Sequence, residues 1–387
     1  MSKLSTFLAT IALSFTNMLV GSLAYASPTL DDLWVGNAHF EQVGQLNWPN
    51  TLDHHSESAG WFAVRNGIWY VFNRAYLTRK VDYCPLDYAK IVVHQSTDQG
   101  KSWSEPVVAV EPGDSPGGDD CNALDGSTYF DQTTGTWHIL SQCLTKNEAS
   151  LWSLCHYSRR GDSPMGRFRP DKGNPVVRGG ALWSRICAGK NKSCPVTTQD
   201  EGTPEILGKH RGSYIVTFHG WSPKSGHGYR GVAATKDFRS WRTNGSELPG
   251  DAMFSAKDCQ AWLEACIGIG ATSTFIGKKY AYVIGEVMDK NLACQKDQKW
   301  VFELFRVLRG AWPQSGAGKW QKLPGDALLT PTWRDGNTLC QVSYARWIVD
   351  GDNIYLVYED WGPERRFGSR RLLQLKAGKG SRIQKTD

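Results

Sequence analysis

One stretch of this chain dictates its local geometry almost residue by residue: Ser96-Thr97-Asp98-Gln99-Gly100-Lys101-Ser102-Trp103, set between the apolar runs Ile91-Val92-Val93 and Val107-Val108. It reads as strand, tight turn, strand. Ser96 and Asp98 are short polar side chains that bond a turn's own backbone, Gly100 supplies a positive φ, and Trp103 folds back as a plug. A second copy follows the apolar Ala233-Ala234, with Thr235, Asp237 and Trp241 in the same order and Phe238-Arg239-Ser240 replacing Gln-Gly-Lys-Ser. The glycine is gone, but the turn is the same.

The S-x-D-x-G-x-x-W pattern resembles the Asp-box of sialidases and related β-propellers. A four-stranded blade cannot bury both of its faces alone, so the resemblance implies further blades at a spacing of about 40 to 70 residues. Turn signals divide the chain accordingly. Blade one runs from Glu57 to about Val110 and turns at Arg65-Asn66-Gly67; blade two begins at Leu124-Asp125-Gly126 and turns at Thr133-Thr134-Gly135. Blade three opens at Glu201 and turns before Gly212, blade four opens at Ile267 and turns at Gly277-Lys278-Lys279, and blade five opens at Val342 and turns at Asp350-Gly351-Asp352-Asn353. The expected fold is all-β, a five-bladed β-propeller, with a six-bladed sialidase-like ring as the alternative. Phe40 to Leu46 is placed as the N-terminal strand that closes the ring, and Ile186 to Thr198 as a loop insertion between blades two and three.

Met1-Ser2-Lys3, the apolar segment Leu4 to Leu23 and Ala24-Tyr25-Ala26 have the basic start, apolar core and A-x-A site of a secretory signal peptide. Residues 1–26 are therefore expected to be removed, leaving 27–387 as a single propeller domain in an extracellular or periplasmic compartment. Ten cysteines fit that setting as disulfides. Cys143 and Cys155 flank a turn symmetrically, and Cys187 with Cys194 and Cys259 with Cys266 close short loops; Cys84 with Cys121 is a further pairing. No paired C-x-x-C spacing supports a zinc site. The formal charge of +6 is modest, which argues against a nucleic-acid partner and leaves an acidic polysaccharide open. A monomer without a cofactor is expected, with a structural calcium ion left open.

The first strand of each blade lines a propeller's channel. Counting back ten residues from each turn gives Glu57, Asp125, Gly202 with Glu201 just before it, Ile269 and Ser343, so three consecutive blades place a carboxylate near the channel mouth. Converging carboxylates raise one another's pKa and can divide into a base and an acid, as glycoside hydrolysis requires. The layout resembles the five-bladed glycosidases of glycoside hydrolase family 43 and its relatives. That resemblance implies Asp125 as the carboxylate that tunes the acid, and Glu201-Gly202-Thr203-Pro204 as the acid's Glu-Gly-Pro with one residue inserted. Glu205 competes with Glu201. The family's first-blade residue is an Asp, whereas the register here falls on Glu57, with Asp53 upstream, as base. The resemblance further implies inversion, with base and acid roughly 6.5 to 9.5 Å apart. Among aromatics near loops, Trp61 and Trp221 are candidates to stack on a sugar, alongside Trp183 and Trp361; Arg346 is placed to hold a substrate hydroxyl or carboxylate. The reading is a secreted glycosidase acting on a polysaccharide or oligosaccharide, with a sialidase-like enzyme or a non-catalytic glycan- or protein-binding propeller as alternatives.

Overall fold

Short alternating strands joined by two- to four-residue turns leave the chain little but consecutive antiparallel hairpins, and sheets with two apolar faces must then stack on one another. The computed structural model describes residues 27–49, 54–77, 84, 88–145, 152–188, 200–221, 228–250, 252–254, 258, 266–294, 297–316, 318–330, 333–334, 337–338, 341–361 and 367–384. It shows a five-bladed propeller.

Blade one holds His54–Arg65, Ile68–Leu77, Ala89–Ser96 and Val107–Val110; blade two holds Asn122–Asp131, Thr136–Leu144, Ser153–Arg160 and Arg169–Pro170. Blade three holds Gly202–His210, Ser213–Trp221, Gly228–Thr235 and Trp241–Arg242, and blade four Cys266–Ile276, Tyr280–Cys294, Asp297–Leu308 and Gln321–Lys322. Blade five takes Gln341–Asp350, Asn353–Trp361 and Phe367–Ala377 from the C-terminal end and Ala38–Gln45 from the N-terminal end. The early strand pairs antiparallel with Phe367–Ala377, so the two ends of the chain close the ring within one sheet. The five first strands contact one another in cyclic order and form the channel wall.

Apolar side chains collect at the seams between blades. Five buried clusters are present among the described residues, one for each seam. At the closing seam, Trp69 and Val71 of blade one meet Tyr355, Val357 and Leu372 of blade five. There the Trp69 indole N–H donates to Asp350, 3.0 Å away, and its ring meets Tyr355 edge-on.

The turn after Ala89–Ser96 is built by its own polar side chains. Ser96 Oγ accepts from the Gly100 amide at 2.8 Å, Asp98 accepts from the Ser102 amide and hydroxyl, and the Trp103 indole donates to the Gly100 carbonyl. Gly100 has φ +85°, and a Cβ there would lie 2.7 Å from Leu46. In the second copy Asp237 accepts from the Arg239 and Ser240 amides and the Trp241 indole donates to Phe238, which takes the positive φ of +59°.

The insertion between blades two and three begins differently from the loop expected there: Ile186 and Cys187 end a short helix, Ala181–Cys187, with 189–199 outside the described residues. Cys84 is bonded to Cys121 and Cys143 to Cys155. Cys187 and Cys266 are also disulfide-bonded, while Cys194 and Cys259 lie outside the described residues, as does the segment 1–26. No helix among the described residues is long and apolar enough to cross a membrane.

Candidate active site

Every first strand carries a β-bulge at the same height in the channel. Its register shifts between Ser58 and Trp61, Ala123 and Gly126, Gly202 and Glu205, Ile269 and Thr272, and Ser343 and Arg346. Bulges bend a strand and re-aim its side chains. The repeated device also corrects the register count. Ten residues reach the position before the bulge in blades three to five, but in the first two blades that position is Ser58 and Ala123, not Glu57 and Asp125, because the distance from bulge to turn differs: Ser58 lies nine residues before Gly67 and Ala123 twelve before Gly135. Asp125 instead belongs to the bulge itself.

The bulge layer separates two ends of the channel. On the side of the strand starts, Asp125 is 3% exposed and pairs with Arg74 on the neighbouring strand of blade one, at 3.0 and 3.1 Å. The Tyr344 hydroxyl from blade five reaches the same carboxylate at 3.4 Å. Tyr344 is the bulged residue of its strand and holds φ +52°, a conformation a bulky side chain adopts only under constraint.

Its amide donates to Glu286 Oε1 at 2.9 Å, and the Ala271 amide donates to Oε2 at 2.9 Å. Gly270 makes room for this carboxyl, since a Cβ there would lie 2.5 Å from Oε2. Burial pushes the Glu286 carboxyl above its ordinary range; the two amides and Arg346 oppose that, and the charge of Asp125 adds to it. A small cavity at this end is lined by Thr203, His219, Glu286, Trp300 and Tyr344 among others. Burial and Arg230 lower the His219 imidazole to about 3, so it is neutral.

The other expected residues are distributed differently. Glu201 is fully buried, and its carboxylate accepts from the backbone amides of Gly180, Leu182 and Trp183, where the Ala181–Cys187 helix starts. Gly180, the N-cap, has no side chain to do this. Burial pushes Glu201 up to about 8 against the pull of those three donors. Glu205 lies beyond the bulge, where Thr272 and Thr274 donate to it from two hydroxyls and an amide; burial raises its carboxyl, opposed by Arg346 and Arg230. Trp61 is 3% exposed, stacked on Phe72, with its indole N–H given to Thr128. Trp61, Glu205 and Arg346 line one cavity at this second end. Trp183 is fully buried. Asp53 and the side chains of Glu57 and Trp221 lie outside the described residues.

Glu286, Tyr344 and Arg74 were not singled out from the sequence. A signal existed for the first: Glu286 interrupts the apolar second strand Tyr280-Ala281-Tyr282-Val283-Ile284-Gly285-Glu286-Val287-Met288, where a carboxylate has to be accommodated by design. No group of three or more His, Cys, Asp or Glu side chains among the described residues is arranged to hold a metal ion.

Known structures match this geometry at the level of the fold. A thermostable family-43 glycoside hydrolase superposes with a TM-score of 0.56 at 11% identity, covering 84% of this chain and 92% of its own. The fold is that of the five-bladed glycoside hydrolases. A family 117 glycoside hydrolase from the marine bacterium Zobellia galactanivorans gives 0.54 at 11% identity over 88% of this chain and 91% of the other. The α-L-arabinanase of Cellvibrio cellulosa, complexed with arabinohexaose, gives 0.50 at 14% identity over 83% and 92%. No family model matches the sequence, and no curated protein is significantly similar to it.

Proposed function

We propose that the protein is an exported glycoside hydrolase acting on a polysaccharide or oligosaccharide. Its proton donor in this reading is Glu286, and the observation that carries the assignment is the Asp125–Tyr344–Glu286 constellation at one channel end. Burial favours the protonated form of Glu286, and Asp125 reinforces it without touching it, which is the division of labour that acid catalysis at neutral pH needs. Asp125 keeps the tuning role expected of it. The acid's role passes from Glu201 to Glu286, since Glu201 is turned to the start of the Ala181–Cys187 helix, whereas Glu286 lines the cavity at the Asp125 end. Glu57, from the adjoining first strand, is the group proposed to activate water. The fold likeness to glycoside hydrolases and the buried carboxyls support this reading; the Met1–Ala26 segment and the disulfides support export.

The test is incubation of the purified mature protein with arabinans, xylans, galactans and sialosides, reading reducing ends. At least one polymer should be cut. Silence across the panel would favour a binding propeller.

A further inference from the structure

Beyond the bulges, at the end of the channel away from Asp125, the first strands enclose a cavity of about 190 Å³. Arg346 lines it and is only 7% exposed. One of its five N–H donors is spent, Nη1 on the Thr272 carbonyl at 2.6 Å. Glu205 and Glu286 act on this guanidinium through space, and neither is within ion-pairing distance. A nearly buried guanidinium with most of its fork unfilled is costly unless something occupies the fork.

The hydroxyls around it share this bias. Ser127 Oγ accepts from the Ile206 amide at 2.7 Å, Thr128 Oγ1 from the Trp61 indole at 2.8 Å, and Ser273 Oγ from the Trp347 amide at 3.2 Å. Each therefore has its own O–H left to give. Among the described residues the one carboxyl on the wall, Glu205, already takes three hydrogen bonds from Thr272 and Thr274. The cavity offers donors and withholds acceptors, and the planar guanidinium fork matches two oxygens in a plane.

We propose that this end of the channel is a binding site for a carboxylate anion, borne by a sugar acid or by a small free acid. It is separated by the bulge layer from the Asp125 end, and its occupancy is measurable whether or not the protein hydrolyses anything.

Calorimetric titration of the purified, disulfide-intact protein with D-glucuronate, acetate, glucose and sulfate tests it. Saturable binding of glucuronate or acetate is expected, with glucose and sulfate at least tenfold weaker; preference for glucuronate over acetate identifies a sugar acid, and the reverse a small free acid. Arg346→Gln should weaken binding at least tenfold, and Arg346→Lys, which keeps the charge without the fork, should fall between. Val349, on the rim and 38% exposed, allows a plug that leaves the blade core alone: Val349→Trp should abolish binding in a protein that melts like the wild type. No saturable carboxylate binding, equal binding of glucose or sulfate, or binding unchanged in Val349→Trp would overturn the proposal.

Discussion

The Tyr344 hydroxyl lies 3.4 Å from Oδ2 of Asp125, joining the fifth blade to the second across the channel. The same residue's amide holds Glu286, so one strained position couples the two carboxyl groups. Tyr344→Phe removes the hydroxyl and keeps the amide. Turnover should fall roughly fivefold, the weight of a long hydrogen bond worth about 1 kcal/mol. Unchanged kinetics would leave Tyr344 a purely structural link.

Asp125 and Arg74 form a pair whose side chains are 4% and 14% exposed. Removing one charge strands the other, which in buried pairs costs about 3 kcal/mol. Asp125→Asn should therefore lower the urea midpoint by an equivalent amount, and a double replacement, Asp125→Leu with Arg74→Met, should recover most of it. A single variant as stable as the wild type would show that water already screens the pair.

Asp119 supplies a pH dependence away from the channel. Burial raises its carboxyl to about 6, against hydrogen bonds from Tyr157, Ser115 and Gly113. An acid with a raised folded-state pKa binds its proton more tightly when folded, so its contribution to stability falls as pH rises from about 4 to 6. The shift corresponds to about 3 kcal/mol at most. Asp119→Asn copies the protonated form, and the stability difference between variant and wild type should grow in the variant's favour across that window. A difference independent of pH would contradict the shift.

The disulfides should matter in proportion to the loops they close. Cys84–Cys121 spans 37 residues and Cys143–Cys155 spans 12, for which chain entropy suggests roughly 4 and 3 kcal/mol. Thermal melting of Cys84→Ala/Cys121→Ala and Cys143→Ala/Cys155→Ala proteins checks both the size and the order.

Much of the fold is legible in local chemistry. Asn66-Gly67 and Asp350-Gly351-Asp352-Asn353 mark turns that the structure contains, and Phe40 to Leu46 lies where the closing strand Ala38–Gln45 forms. The site is less legible because a bulge has no fixed residue signature: Ala59-Gly60, Leu124-Asp125 and Tyr344-Ala345 do the same geometric job with unrelated side chains. A fixed count back from each turn then misplaces Glu57 against Ser58, because the distance from bulge to turn varies between blades, blade three carrying a second bulge between Ile206 and Gly208. Glu201 shows a second limit, since the helix whose amides it accepts is 18 or more residues away in sequence. Glu286 lies on a second strand, and only the bulges in the first strands, whose amides it accepts, bring its side chain to the channel.

The most direct test of the account is the rate of reducing-end release by Glu286→Gln at neutral pH, on whichever polymer the wild type cuts fastest. Loss of the proton donor should lower that rate by a factor of about 100 to 10,000 while the variant still melts cooperatively and still binds the polymer. Near-wild-type turnover in Glu286→Gln, with turnover abolished instead in Glu201→Gln or Glu205→Gln, would contradict it and return the acid's role to blade three.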